Sequence, residues 1–134
     1  MIASVGAMAR KVDPVEQALA RTREICLALP EVVERPSHGA PTFFIRDKKS
    51  FVMFHDDHHS DGRLAWWCPA GPGVQAQLVE EEPHRFFVPP YVGHRGWLGV
   101  LLDVDADWDE LAGIAADAFR LVAPKALVKR LDER

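Results

Sequence analysis

The chain has 134 residues, of which 48% are hydrophobic and 27% are charged, and this is typical of one globular domain. Its formal net charge of −4 argues against a broad electrostatic contact with nucleic acid, although residues 120–134 carry five basic and two acidic side chains. No apolar run approaches the ~18 residues that a membrane helix needs, so we expect a cytoplasmic protein without a membrane partner.

The chain begins with a segment that shows no periodic pattern. We predict a flexible tail over residues 1–12, with translation starting at Met1 or Met8, and a single domain over residues 13–134. The first helix is predicted over residues 14–29, because Asp13 is a good N-cap and Pro14 suits the first helical position.

Residues 32–68 change to the period of two that is typical of strands. We predict strands at residues 32–35, 42–45, 50–54 and 64–67, and the second and third form a hairpin. A polar loop, residues 55–62, precedes the fourth. Short connections predict an antiparallel meander, one face of which must be covered.

Three helical segments and two strands follow. A second helix is predicted over residues 71–82, then strands over 86–88 and 97–104. Asp107 caps a third helix over residues 108–122, and a basic turn or helix over residues 125–131 closes the chain. We therefore predict an α+β fold with one antiparallel β-sheet and helices packed on one face.

The loop of residues 55–61 contains three histidines and three aspartates, which are donor types suited to a transition metal. However, no helical or strand spacing gives these side chains a shared face. We interpret the segment as a solvated hairpin loop and predict neither a metal nor a cofactor. Cys26 and Cys68 lack metal-site spacing and are predicted to be free, buried thiols.

The densest group of chemically useful side chains lies in residues 86–97, where two prolines and two glycines form turns that expose their neighbours. Neighbouring indoles, Trp66 and Trp67, must point to opposite faces of a strand, so one belongs to the core and the other faces solvent or a helix. A guanidinium beside an aromatic ring can bind a planar or anionic group. The predicted binding surface consists of His38, Gly39, Tyr91, His94, Arg95, Trp97 and Lys125. The alternative is that the aromatic residues only fill the rim of the core.

Several of these segments, in this order, resemble the MmcQ/YjbR-like family of small bacterial domains over about residues 15–127. The resemblance rests on Cys26-Leu27-Ala28-Leu29-Pro30, His38-Gly39-Ala40-Pro41-Thr42-Phe43, Phe87-Val88-Pro89-Pro90-Tyr91, Gly96-Trp97 and Leu121-Val122-Ala123-Pro124-Lys125. It implies a CyaY-like or secretion-chaperone-like α+β fold. Many members are labelled DNA-binding, and the family offers no catalytic residues to transfer.

Two functions from different classes follow, both without catalysis. The first, implied by the resemblance, is weak nucleic-acid binding through Arg95, Lys125, Lys129 and Arg130. The second is recognition of a small anionic or planar ligand, or of a protein, in a groove around His38, Tyr91, His94 and Trp97. The net charge favours the second function, and the family label favours the first. The oligomeric state stays open.

Overall fold

The computed structural model describes residues 13–102 and 106–134. Within these residues the helices are α1 (Pro14–Leu27), α2 (Val74–Glu81), α3 (Trp108–Val122) and α4 (Lys125–Asp132). The strands are β1 (Val32–Ser37), β2 (Ala40–Ile45), β3 (Lys49–Asp56), β4 (Leu64–Cys68), β5 (Phe86–Phe87) and β6 (Leu98–Leu101). Two short 3-10 turns lie at His58–Ser60 and Gly93–Arg95. The predicted tail and the end of the predicted last strand lie outside the described residues.

One antiparallel sheet contains all six strands, in the order β1-β2-β3-β4-β6-β5. The first four strands form the predicted meander, and β6 then pairs with β4. The two-residue strand β5 lies at the edge beyond β6. The predicted α+β class is therefore confirmed.

Helices α1 and α3 cover one face of this sheet, as predicted, and we call this the helix face. Their packing forms the main core, in which the rings of Phe51 and Phe119 meet edge to face at 5.8 Å. Trp66 points into this core and donates a hydrogen bond from Nε1 to Thr22 Oγ1 at 2.9 Å. Thr22 in turn donates to the carbonyl of Ala18 at 2.8 Å, so both buried polar groups are satisfied.

The caps of the two main helices follow from the sequence, whereas several ends differ from the predicted ones. The Asp13 carboxylate accepts from Val15 N at 2.9 Å, and Asp107 accepts from the first turn of α3. Helix α1 ends at Leu27, two residues early. Helix α2 begins at Val74 because Gly73 has a φ of 79°, which is not helical.

The opposite face of the sheet, the open face, carries a second and smaller core. It contains Ala65, Trp67, Phe87, Val92 and Trp97. The expectation that the second indole faces solvent or a helix is therefore wrong, because Trp67 is only 3% exposed and is covered by its core neighbours and by the side chains of His55 and His58. Gly99 lies beside this indole in the register, and a Cβ there would come within 2.5 Å of the Phe87 ring. The missing side chain makes room for that ring.

The two cysteines are free and fully buried, as predicted. Burial raises the pKa of both thiols, that of Cys68 to about 12, so neither is a ready nucleophile. No helix in the described part of the chain is long and apolar enough to cross a membrane.

Candidate ligand-binding site

A cavity of about 410 Å³ opens on the open face of the sheet, a size typical of small-molecule sites. Its floor consists of Met53, His55 and Trp67. Met53 and His55 alternate along β3 and so share a face. Met53 pairs directly with Trp67 on β4, whereas His55 pairs with Ala65. The small alanine leaves room for the imidazole to lean toward the indole.

The rim beside the sheet edge comes from the turn between β1 and β2. Ser37 and His38 line the cavity there, and His38 has a φ of 51°. Gly39 follows with a φ of 80°, which completes a tight two-residue turn between Ser37 and Ala40. His38, which the sequence predicted to be a binding residue, is exposed because it lies in the turn of this hairpin.

The remaining wall combines two loops that are distant in sequence. His58 and His59 come from the 3-10 turn after β3, and Tyr91 and Val92 come from the segment after the double proline. His59 and Tyr91 both adopt a left-handed backbone, with φ of 49° and 66°. Tyr91 Oη and His59 Nε2 lie 3.4 Å apart, so the two loops meet at the mouth of the cavity. Left-handed backbone at non-glycine residues costs energy, and in this chain it also occurs at turns away from the cavity, among them Arg46 and Asp47.

The histidines form a stack on the indole floor. The ring centroids of His55 and Trp67 lie 3.8 Å apart at 34°, which is a tilted stack. His58 meets His55 at 5.0 Å and Trp67 at 4.9 Å, in both cases edge to face. His59 then packs on His58 at 4.1 Å. Three imidazoles therefore form one continuous aromatic surface around the cavity.

Burial lowers the pKa of two of these imidazoles, His55 and His58. Desolvation lowers the pKa of His55 to about 4, with a further lowering from His58 and an opposing effect of Asp61. The pKa of His58 is lowered as well, by desolvation first and then by His59. His55 is therefore neutral at pH 7. Within the described part of the chain, the Nε2 atoms of His55 and His58 are buried without a hydrogen-bond partner, which is uncommon for buried polar groups.

The interpretation of residues 55–61 as a solvated loop is wrong for two of its histidines. Strand β3 extends to Asp56, which pairs with Leu64, so His55 lies inside the sheet and is only 9% exposed. His58 is half-buried. Over the described ranges, no group of three or more His, Cys, Asp or Glu side chains could hold a metal ion.

The predicted binding residues are distributed over different places. His38 and Tyr91 line the cavity, and Gly39 belongs to its rim turn. Trp97 is only 5% exposed, so its indole is part of the second core and offers no open stacking surface.

The predicted cations lie elsewhere. His94 and Arg95 are exposed on the turn before β6, and Arg95 lies over the Trp97 ring at 5.2 Å. Lys125 begins α4, whose Leu127 is buried in the core of the helix face. The structure therefore brings two of the predicted side chains to the cavity and leaves the predicted cations outside its lining.

The segment that carries Tyr91 is anchored from α2 by a residue that the sequence did not indicate. Gln75 Nε2 donates to the carbonyl oxygens of Gly93 and Trp97, at 2.8 and 2.6 Å. Pro89 is fully buried below this segment. These contacts fix the loop that presents Tyr91 and Val92 to the cavity.

The sequence predicted neither the histidine wall nor its indole floor. A signal was present for His55, since the alternation of β3 continues past Phe54 and places it beside Met53. No periodicity predicts His58, because Asp57, with a φ of 60°, turns the chain back before it. That turn is held by hydrogen bonds from Gly62 N to Asp57 Oδ1 at 2.7 Å and from Asp57 N to the Arg63 carbonyl at 2.8 Å.

Comparisons with known proteins identify the fold and the family. A family model described as YjbR matches residues 27–121. The crystal structure of the Deinococcus radiodurans protein DR2400, which has a DUF419 domain, is similar with a TM-score of 0.67. That likeness covers 85% of this chain and 87% of the other at 19% identity, and it shows the fold alone. No curated protein sequence matches the chain.

Proposed function

The chain belongs to the YjbR family, and from the geometry of its cavity we propose that it binds a small, flat molecule there. The observation that carries the proposal is the pair of imidazoles of His55 and His58, whose Nε2 atoms have no hydrogen-bond partner among the described residues and which pack on Trp67 beside an open space of about 410 Å³. Buried polar groups without partners are rare, and a ligand is one way to supply the partner.

The walls define what such a ligand is like. Met53 and the exposed ring of Tyr91 offer apolar surface beside the nearly buried Val92 and Trp67, and aromatic side chains favour a flat ring that stacks on them or meets them edge to face. Among the residues that the structure describes, no carboxylate and no Lys or Arg lines this cavity. The part of the ligand inside it is therefore uncharged. One ring nitrogen, hydroxyl or carbonyl would pair with an imidazole Nε2 once that ring turns toward the cavity.

The charge distribution favours this function over nucleic-acid binding. Of the four basic residues considered for phosphate contact, Lys129 lies 3.9 Å from Glu133 and Arg130 lies 3.2 Å from Glu31. Glu31 also binds Arg46 at 2.9 Å. Carboxylates thus already neutralise part of the cationic surface that DNA would need.

A cytoplasmic location stays a prediction.

Calorimetric titration with a flat probe tests the proposal. Indole has the required shape and one N–H donor, and we expect a dissociation constant of about 1 mM or lower, near −4 kcal/mol. Ser37→Phe places a ring in the cavity mouth and should abolish that binding. Val33→Phe adds the same ring to the same face of β1 outside the lining and should leave it unchanged. Equal binding by both folded variants would place the indole elsewhere.

A further inference from the structure

Arg63 differs in its surroundings from most of the described arginines. Arg21 and Arg95 also lie over an aromatic ring without an ion pair to a described residue, but both are exposed. Six arginines in the described part of the chain bind carboxylates, namely Arg23, Arg35, Arg46, Arg85, Arg120 and Arg130. Arg63 is half-buried, yet its guanidinium has no hydrogen bond or ion pair to any described residue. Its guanidinium carbon lies over the Phe87 ring, 4.1 Å from the ring centroid. A stacked guanidinium keeps the N–H groups along its edge available for an anion.

The position of Arg63 connects it to the cavity. A surface groove next to the cavity is lined by Arg63, Asp61, Val88 and Pro90. The groove and the cavity share His58, His59 and Tyr91, so the contact between His59 and Tyr91 is the boundary between them. A molecule with its ring in the cavity would extend over these two side chains to reach the groove.

We propose that the ligand of the cavity carries a single carboxylate, which extends into this groove and binds Arg63. The proposal rests on the proposed function and adds the chemical class of the ligand, a flat ring with a short acidic chain. A guanidinium binds a carboxylate through two parallel hydrogen bonds. Arg63 is the only Lys or Arg among the described residues that line the cavity and the groove.

Asp61 favours a monoanion over a phosphate. Its Oδ1 accepts from the backbone N–H of Arg63 at 2.8 Å, which holds the carboxylate at the groove without pairing it to the guanidinium. A second negative charge on the ligand would add repulsion from Asp61, and one guanidinium does not offset two charges. A carboxylate is therefore the better match.

Probes that share the indole ring and differ in the group attached to it test this proposal by calorimetry at low ionic strength. Indole-3-acetate and indole-3-acetamide share the ring, and 3-indoxyl phosphate adds a dianion to it. We expect the acetate to bind the wild-type protein about 5- to 20-fold more tightly than the amide, because a hydrogen bond between two charged groups contributes more free energy than one to a neutral amide. The phosphate should bind more weakly than the acetate. A phosphate that binds more tightly would contradict the carboxylate assignment.

Two variants test whether the residues of the groove cause the preference for the acetate over the amide. Arg63→Gln should remove the difference between acetate and amide, while binding of the amide stays. Asp61→Asn keeps the oxygen that accepts from Arg63 N, removes the charge, and should enlarge the preference for the acetate two- to five-fold. Equal affinities for acetate and amide in the wild-type protein would overturn this inference and leave the proposed function standing. A preference that survives in Arg63→Gln would also overturn it. Failure of all the probes, indole included, would overturn both proposals.

Discussion

The protonation of the His55 side chain makes the stability of the protein depend on pH. Its ring stacks on Trp67, and burial lowers its pKa from 6.5 to about 4. Between these two values the unfolded chain binds more protons at this site than the folded one, so stability increases with pH across that window. The contribution is fully present above pH 6.5 and is lost as the pH decreases to about 4.

We predict that His55→Phe weakens this pH dependence. The wild-type protein should lose roughly 1 to 3 kcal/mol more unfolding free energy than the variant between pH 7 and pH 4, because a phenyl ring takes up no proton. Denaturant unfolding at both pH values measures the difference. His94→Phe, at an exposed histidine outside the cavity, should keep the wild-type dependence. If the His55 and His94 variants behave alike, His55 is not the group that titrates.

At the scale of the element, we expect alanine substitutions at two glycines to change the stability of the protein in opposite directions. Gly99 in β6 faces the Phe87 ring, which a Cβ would approach to 2.5 Å. Gly113 lies on the exposed side of α3, where a Cβ meets nothing within 4 Å. Gly99→Ala should destabilise the protein by about 1 to 3 kcal/mol through overpacking. Gly113→Ala should stabilise it by about 0.5 to 1 kcal/mol, since alanine is the better helix former. Thermal unfolding measures both, and a harmless Gly99→Ala would show that Phe87 does not depend on this space.

The loop that carries Tyr91 depends on helix α2 through Gln75. Gln75→Met keeps the length of the side chain and removes both donated hydrogen bonds, to Gly93 and Trp97. We expect faster amide hydrogen exchange in residues 91–97 and a loss of about 1 to 2 kcal/mol. Gln77→Met is the matched control, because Gln77 only contacts Glu81 on the surface, at 3.3 Å. Unchanged exchange in the Gln75 variant would mean that packing alone holds the loop.

At the scale of the whole molecule, the fold was predictable from local patterns. Capping by Asp13 and Asp107 and the alternation of the strands defined the elements, and two amphipathic helices required a sheet face to cover. The order of the last two strands was not predictable, because the position of β6 between β4 and β5 depends on contacts between distant segments.

Only those residues of the candidate site that lie beside glycine or proline turns could be predicted from the sequence. His38 and Tyr91 were found from the glycine and proline turns around them, and both line the cavity. The histidine wall was missed because its members become neighbours only when Asp57 reverses the chain and Trp67 provides the floor. Arg95 and Lys125 were selected by charge, and charge alone says nothing about which face of the sheet a residue occupies.

The most direct test of the histidine cavity as the binding site is an NMR titration of the imidazole ¹⁵N resonances with indole-3-acetate. We predict saturable shifts of the Nε2 resonances of His55 and His58, with the backbone amides of Arg95 and Lys125 unmoved. Shifts confined to residues 94–95 and 125–130, with both imidazoles unchanged, would contradict the assignment and place binding on the basic surface instead.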